Sequence, residues 1–197
     1  MARGDRRAQG LVRVAVVVRA GAAPLWWAGV FAVGVGVLAP GITGRRIGVM
    51  AGAALFVVAA AVVACARRGR YAGLARSAAR AGRHDVLQDR AITVRNWRRG
   101  HRWWLLLAFV AALAGSFAVP AAGGMLLAGC GTGLRLKAAW LGQRERAQGA
   151  LLWVRVDWLA AGGGRPVGKA VRAYRSTGIA AGDAAPGGAR RRTAALV

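Results

Sequence analysis

A chain of 197 residues could make one ordinary soluble domain, but this one is 56% hydrophobic and carries 30 Lys and Arg against 6 Asp and Glu, for a net charge of +24. Long apolar runs and excess cations together argue against a soluble core, because a bilayer both demands such runs and sorts cations to one side. Arginine outnumbers lysine 28 to 2 and Asn occurs once, at Asn96. That skew has the look of high-GC coding, so charge is informative here and arginine identity is not.

Residues 1–23 read as a basic cytoplasmic N-terminus with five arginines. Two apolar segments follow, 24–39 and 47–66, and together they make a first transmembrane hairpin, residues 24–66. The basic start and short apolar run also fit a signal peptide. However, Pro40 follows the best small-residue site, Val37-Leu38-Ala39, and removal would leave a hairpin unpaired, so the segment is expected to stay.

Residues 67–102 form a basic cytoplasmic loop with eleven arginines. Arg76, Arg80, Arg83 and Arg90 fall within about 80° of arc if the segment is helical. Opposite them lie Tyr71, Leu74, Ala78 and Ala81, with Gly82 as an interruption. With Arg95, Arg98 and Arg99 these four arginines are the candidate polyanion-binding set. The stretch NWRRGHRWWLLLAFV then leads from arginines straight into hydrocarbon-like sequence.

Two further apolar segments, 103–119 and 121–136, are separated by Pro120 and the Gly123-Gly124 pair and make a second hairpin, residues 103–136. Three of the four segments are 16 or 17 residues long, reaching only about 24 Å against a hydrocarbon core of about 30 Å. Small residues recur at four-residue spacing at Ala28, Ala32, Gly36; Gly48, Gly52; Ala108, Ala112, Ser116; and Gly129, Gly133. Such stripes permit close helix packing. Residues 137–160 form a basic, interfacial segment that includes ALLWVRVDWLA, and 161–197 form a flexible Gly/Arg-rich tail. Trp26, Trp27, Trp97, Trp103, Trp104, Trp153 and Trp158 are the candidate membrane-interface residues.

The fold class expected is thus an all-α membrane protein with four short transmembrane helices arranged as two hairpins. The regions 1–23, 67–102 and 135–197 hold 28 of the 30 cations. By the positive-inside rule they face the cytoplasm, both termini included, in a multi-pass protein of the inner (plasma) membrane.

Chemistry is sparse. Asp5, Asp85, Asp89, Glu145, Asp157 and Asp183 include no pair at a spacing that dictates acid–base catalysis, and Cys65, Cys130, His84 and His101 make no metal-ligand pattern. Gly163 to Lys169 fits the start of a phosphate-binding loop, but Ala170 stands where the magnesium-binding hydroxyl belongs. Neither enzyme activity nor a cofactor is expected. The spans lack mid-membrane charges, which disfavours an ion-coupled carrier.

In overall architecture and composition the chain resembles the plasmid-spread proteins, small membrane proteins encoded in the plasmid-transfer regions of mycelial actinobacteria. The resemblance carries no motif and assigns no residue; it implies DNA binding as an accessory to plasmid transfer or spread. The reading is a non-enzymatic membrane protein whose basic face binds a polyanion, with the lipid bilayer and nucleic acid or anionic lipid headgroups as partners, along with a homo-oligomer or an acidic protein. The alternatives are an oligomeric pore, holin-like channel or small permease, and a membrane scaffold for another protein.

Overall fold

The computed structural model describes residues 10–38, 44–82, 84–161 and 163–190. In chain order the elements are β1 (Gly10–Arg13), α1 (Val14–Ala20), α2 (Ala22–Leu38), α3 (Arg45–Cys65), α4 (Arg68–Arg76), β2 (Ala79–Arg80), β3 (Val86–Leu87), α5 (Arg90–Ala118), α6 (Ala122–Gln148), β4 (Ala150–Arg155), α7 (Val156–Ala161), β5 (Arg175–Gly178), a 3-10 turn (Ile179–Ala181), β6 (Ala184–Ala185) and β7 (Ala189–Arg190). The protein is mostly helical and has three helical stretches long and apolar enough to cross a membrane: Val14–Leu38, Arg45–Arg76 and Arg90–Ala118. It is not all-α. The chain divides into a sheet unit and a helical unit, the helical one comprising residues 18–66 and 96–137.

The sheet unit draws its strands from three distant stretches of sequence. Five of them form one sheet in the order β2-β5-β4-β1-β3. β4 pairs antiparallel with both β1 and β5, while β1–β3 and β2–β5 are parallel. The central strands explain the departure from an all-helical expectation. Leu151, Leu152, Trp153 and Val154 are consecutive and all buried, the pattern of a strand covered on both faces rather than of an amphipathic segment resting on a membrane. Leu11, Leu151 and Trp153 form a core with Ala81, Leu87 and Ile179 against it.

The Gly-rich stretch read as a flexible tail contributes structure between residues 163 and 190. Gly187 and Gly188 have φ of +82° and +71° and turn the β6–β7 hairpin. A side chain at Gly188 would strike the backbone of Ala15, and one at Gly142 would strike that of Gly187. Glycine serves here for close approach and positive φ rather than for freedom.

Arg13 and Glu145 lock this unit. Both are buried, and Arg13 Nη2 donates to Glu145 Oε2 at 3.1 Å. Arg13 also donates to the carbonyls of Ala184 and Ala185, while the carboxylate accepts from the backbone N–H of Leu152 and of Gly187. One ion pair thereby joins β1, α6, β4 and the β6–β7 turn.

The helical unit is built around α6, the least apolar of its long helices. A Cβ at Gly123 would come within 3.0 Å of the Ala112 backbone on α5; at Gly124 or Gly131, within that distance of α2; and at Gly129 or Gly133, of α3. These glycines let three helices press their backbones against α6. Going up α3, Gly48, Gly52, Phe56 and Ala60 meet Pro120, Met125, Gly129 and Gly133, so α3 and α6 run in the same direction. Along α2, Trp26, Gly29 and Gly36 meet Gly131, Ala128 and Ala121, so α2 runs the other way. The small-residue stripes of the sequence are these contacts, with Ala32 and Ala112 sharing a cluster with Leu127. The few hydroxyls are satisfied within their own helices: Ser116 donates to Ala112 O and Thr132 to Ala128 O.

Outside, this unit is greasy. Phe31, Leu38, Ile47, Met50, Val57, Val62, Leu107 and Phe117 are all exposed. The third apolar segment begins far earlier than its composition suggests, because α5 starts at Arg90 and carries the second part of the basic loop as helix.

Candidate polyanion-binding surface

The arginines expected to share one helical stripe are distributed over several elements. Arg76 ends α4, Arg80 lies on β2, and Arg90 begins α5; Arg83 lies outside the described residues. The single-helix stripe is therefore corrected, since α4 stops at Arg76 and the chain turns through Ser77 into the sheet. Arg76 and Arg80 are exposed. Arg90 is half-buried and committed to the fold: its backbone N–H donates to Asp183 Oδ2 at 2.7 Å and its Nε to the Gly188 carbonyl at 3.2 Å.

A different stripe is present. Arg95, Arg98, Arg99 and Arg102 lie on α5 at spacings of three and four residues and are all exposed, so they occupy one face of that helix. Among the described residues Arg95, Arg98 and Arg99 have no carboxylate partner. The Arg102 guanidinium lies 5.5 Å from the centre of the Trp103 ring.

The tryptophans separate into two groups. Trp27, Trp103 and Trp104 are exposed, and Trp26 is half-buried with the Arg135 guanidinium 5.2 Å from its ring. Trp97 instead packs on Gly21 and stacks on His101 at 4.3 Å. Trp158 is half-buried beside Arg155. Trp153 is the clear departure from the interfacial expectation: it is buried in the sheet core, with its Nε1 donating to Thr177 Oγ1 at 2.8 Å. The residue that sequence reasoning passed over is Trp140, which has both Arg68 and Arg144 near its ring, at 5.4 and 4.8 Å. Only the four-residue spacing of Trp140 and Arg144 hinted at this.

The loop resembling a phosphate-binding motif lies between α7 and β5. Its Gly168 carbonyl accepts from Arg70 and its Pro166 carbonyl from the Tyr174 hydroxyl at 2.7 Å. The chain continues from it into β5, with no helix to present N–H groups to a phosphate. Burial pushes the Tyr174 hydroxyl well above the usual tyrosine range. Among the described residues no group of three His, Cys, Asp or Glu could hold a metal.

In the sheet unit as a whole, the described residues include sixteen Lys and Arg against five Asp and Glu. One of those acids, Glu145, is spent internally on Arg13. What the arrangement can do chemically is attract phosphate by charge, through guanidiniums that can donate in pairs. Comparison with family models, with curated proteins and with solved structures gives no match.

Proposed function

We propose that the chain is a non-enzymatic protein of the inner (plasma) membrane that crosses it four times and presents a folded basic unit in the cytoplasm to bind a polyanion, nucleic acid through its phosphates. One observation carries both halves: the basic stretches before α2, between α3 and α5, and after α6 supply strands to a single sheet.

Strands of one sheet lie on one side of a bilayer, because an open sheet cannot traverse hydrocarbon. The chain between them must then cross an even number of times, twice through α2 and α3 and twice through α5 and α6. This supports α6 as a crossing although its glycines keep it out of the group of strongly apolar helices. The positive-inside rule puts the shared side in the cytoplasm. Separate topological anchors would need only a few cations each and no common fold; a sheet that gathers them makes one dense positive surface.

An accessory role in plasmid transfer or spread is what the resemblance to plasmid-spread proteins adds. The test is binding of the purified full-length protein to duplex DNA across a salt series. Affinity should be indifferent to base sequence and fall steeply with salt. Replacing Arg76, Arg80 and Arg95, exposed cations of the sheet unit, by Gln should reduce the slope of log affinity against log salt by up to about 0.9 per lost contact. No retention of DNA at low salt would overturn the nucleic-acid reading.

A further inference from the structure

We infer that Arg68, Arg144 and Trp140 form a site for the phosphate of an anionic membrane lipid. Arg68 on α4 and Arg144 on α6 are 76 residues apart in sequence, yet both guanidiniums are held over the Trp140 ring, at 5.4 and 4.8 Å from its centre. Their guanidinium carbons therefore lie within about 10 Å of each other. The electron-rich ring face attracts each cation and leaves the charge of Arg144 in place. The nearest carboxylate in sequence, Glu145, points away into its bonds with Arg13, Leu152 and Gly187. Arg144 has no ion-pair partner among the described residues. Two guanidiniums held at one ring suit a phosphate, which can accept paired hydrogen bonds from a guanidinium.

The position along the helices selects a lipid phosphate. Trp140 stands about 27 Å of helical rise beyond the first residue of α6, close to the hydrocarbon thickness of about 30 Å. Arg68 comes three residues after Cys65, the last of α3. In a chain whose α3 and α6 cross the bilayer, both residues stand at headgroup depth, where tryptophan also concentrates. The connection between them is strained: Arg67 adopts a left-handed φ of 59°, a conformation that disfavours side chains. That turn starts α4 at Arg68. All three residues are half-buried, so the site is a recess rather than an open patch. This inference rests on the four-crossing reading and is independent of whether the protein binds DNA.

The test is native mass spectrometry of the full-length protein in detergent, titrated with phosphatidylglycerol or with phosphatidylcholine of the same acyl chains. The wild-type protein should retain one phosphatidylglycerol in preference to phosphatidylcholine. The R68Q/R144Q variant should lose that preference by about 30-fold, at roughly 1 kcal/mol for each cation near an anionic surface. W140F should keep most of the preference and W140L should weaken it, and both are checked for an unchanged circular dichroism spectrum. If R68Q/R144Q does not fold, the single R144Q substitution serves, with an expected loss of about fivefold. An equal loss in R165Q/R172Q, which removes two exposed cations elsewhere in the sheet unit, would overturn the site by showing general attraction. Full competition by inorganic phosphate would overturn the lipid assignment. So would a loss of duplex-DNA affinity in R68Q/R144Q with lipid preference unchanged.

Discussion

Leucine and valine serve opposite ends in the two units. In the sheet unit Leu11, Leu151, Leu152, Val154 and Val171 are buried while Arg76 and Arg80 are exposed. In the helical unit Ile47, Met50, Val57 and Val62 face outward, and Gly29, Gly124, Gly129 and Gly131 occupy the inside. The hydrophobic effect drives the first arrangement, because apolar area is removed from water. It would not drive the second in a bilayer, where lipid is as apolar as leucine and helix association depends on close backbone packing. The same chain thus follows two rules, as though for two solvents, and substitutions should separate them.

The largest contrast is expected at the buried ion pair. Glu145→Ala leaves Arg13 charged and unpaired in the sheet unit and should cost about 3–5 kcal/mol, read by denaturant titration followed by circular dichroism. Asp157→Ala, which removes the largely exposed partner of Arg155, should change stability by no more than about 1 kcal/mol. Equal effects would mean that the sheet unit is not packed as described.

Next is a charge on the outside of the helical unit. Val57 is 64% exposed, which in a water-soluble protein would make Val57→Arg harmless. Facing lipid near mid-helix, it should instead cost about 2.5–3.5 kcal/mol of insertion, measurable by a membrane-insertion reporter. Free tolerance would turn the unit's outer surface over to water.

Smaller again is the effect of one methyl group inside that unit. Gly129→Ala should destabilise by about 1–3 kcal/mol, because its Cβ meets the Phe56 carbonyl. Gly34→Ala, where nothing lies within 4 Å, should be neutral or stabilising by up to about 1 kcal/mol. Thermal aggregation of the detergent-solubilised protein distinguishes the two.

The smallest effect belongs to Tyr174. Its hydroxyl bonds to Pro166 O, so Tyr174→Phe should cost about 1 kcal/mol at neutral pH. Burial raises its ionisation above the ordinary value of about 10, so the unfolded chain releases that proton first. Stability of the sheet unit should therefore fall as pH rises past about 10, and Tyr174→Phe should flatten that fall.

Much of the helical unit was legible in the sequence. The proline at 120 does separate α5 from α6, and the spaced small residues do mark helix contacts. What hydropathy obscured was the centrality of α6, since the glycines that lower its apolar character are what allow three helices to approach it. The sheet unit was nearly invisible. β2, β3, β6 and β7 are two residues each, too short for any alternation, and their partners lie up to 96 residues away in sequence. Basic composition around Arg80 and glycine around Gly187 read as a solvated loop and a tail, because close approach and positive φ leave the same mark as flexibility. At the candidate surface, Arg95, Arg98 and Arg99 kept the exposure expected of them, whereas Arg76, Arg80 and Arg90 owe their placement to tertiary structure. The pairing of Arg68 with Trp140 is likewise long-range.

The central claim is that stretches on either side of the two hairpins share one sheet on one side of the membrane. It is tested most directly by cysteine labelling in a background with Cys65 and Cys130 replaced by Ser, using a membrane-impermeant maleimide on sealed right-side-out and inverted vesicles. Cysteines introduced at Ala79 on β2 and at Ser176 on β5, which are neighbouring strands, should both label from the cytoplasmic side only, and one at Gly44 ahead of α3 from the opposite side only. Labelling of positions 79 and 176 from opposite sides would contradict the account, because α6 would then not cross and the sheet could not form.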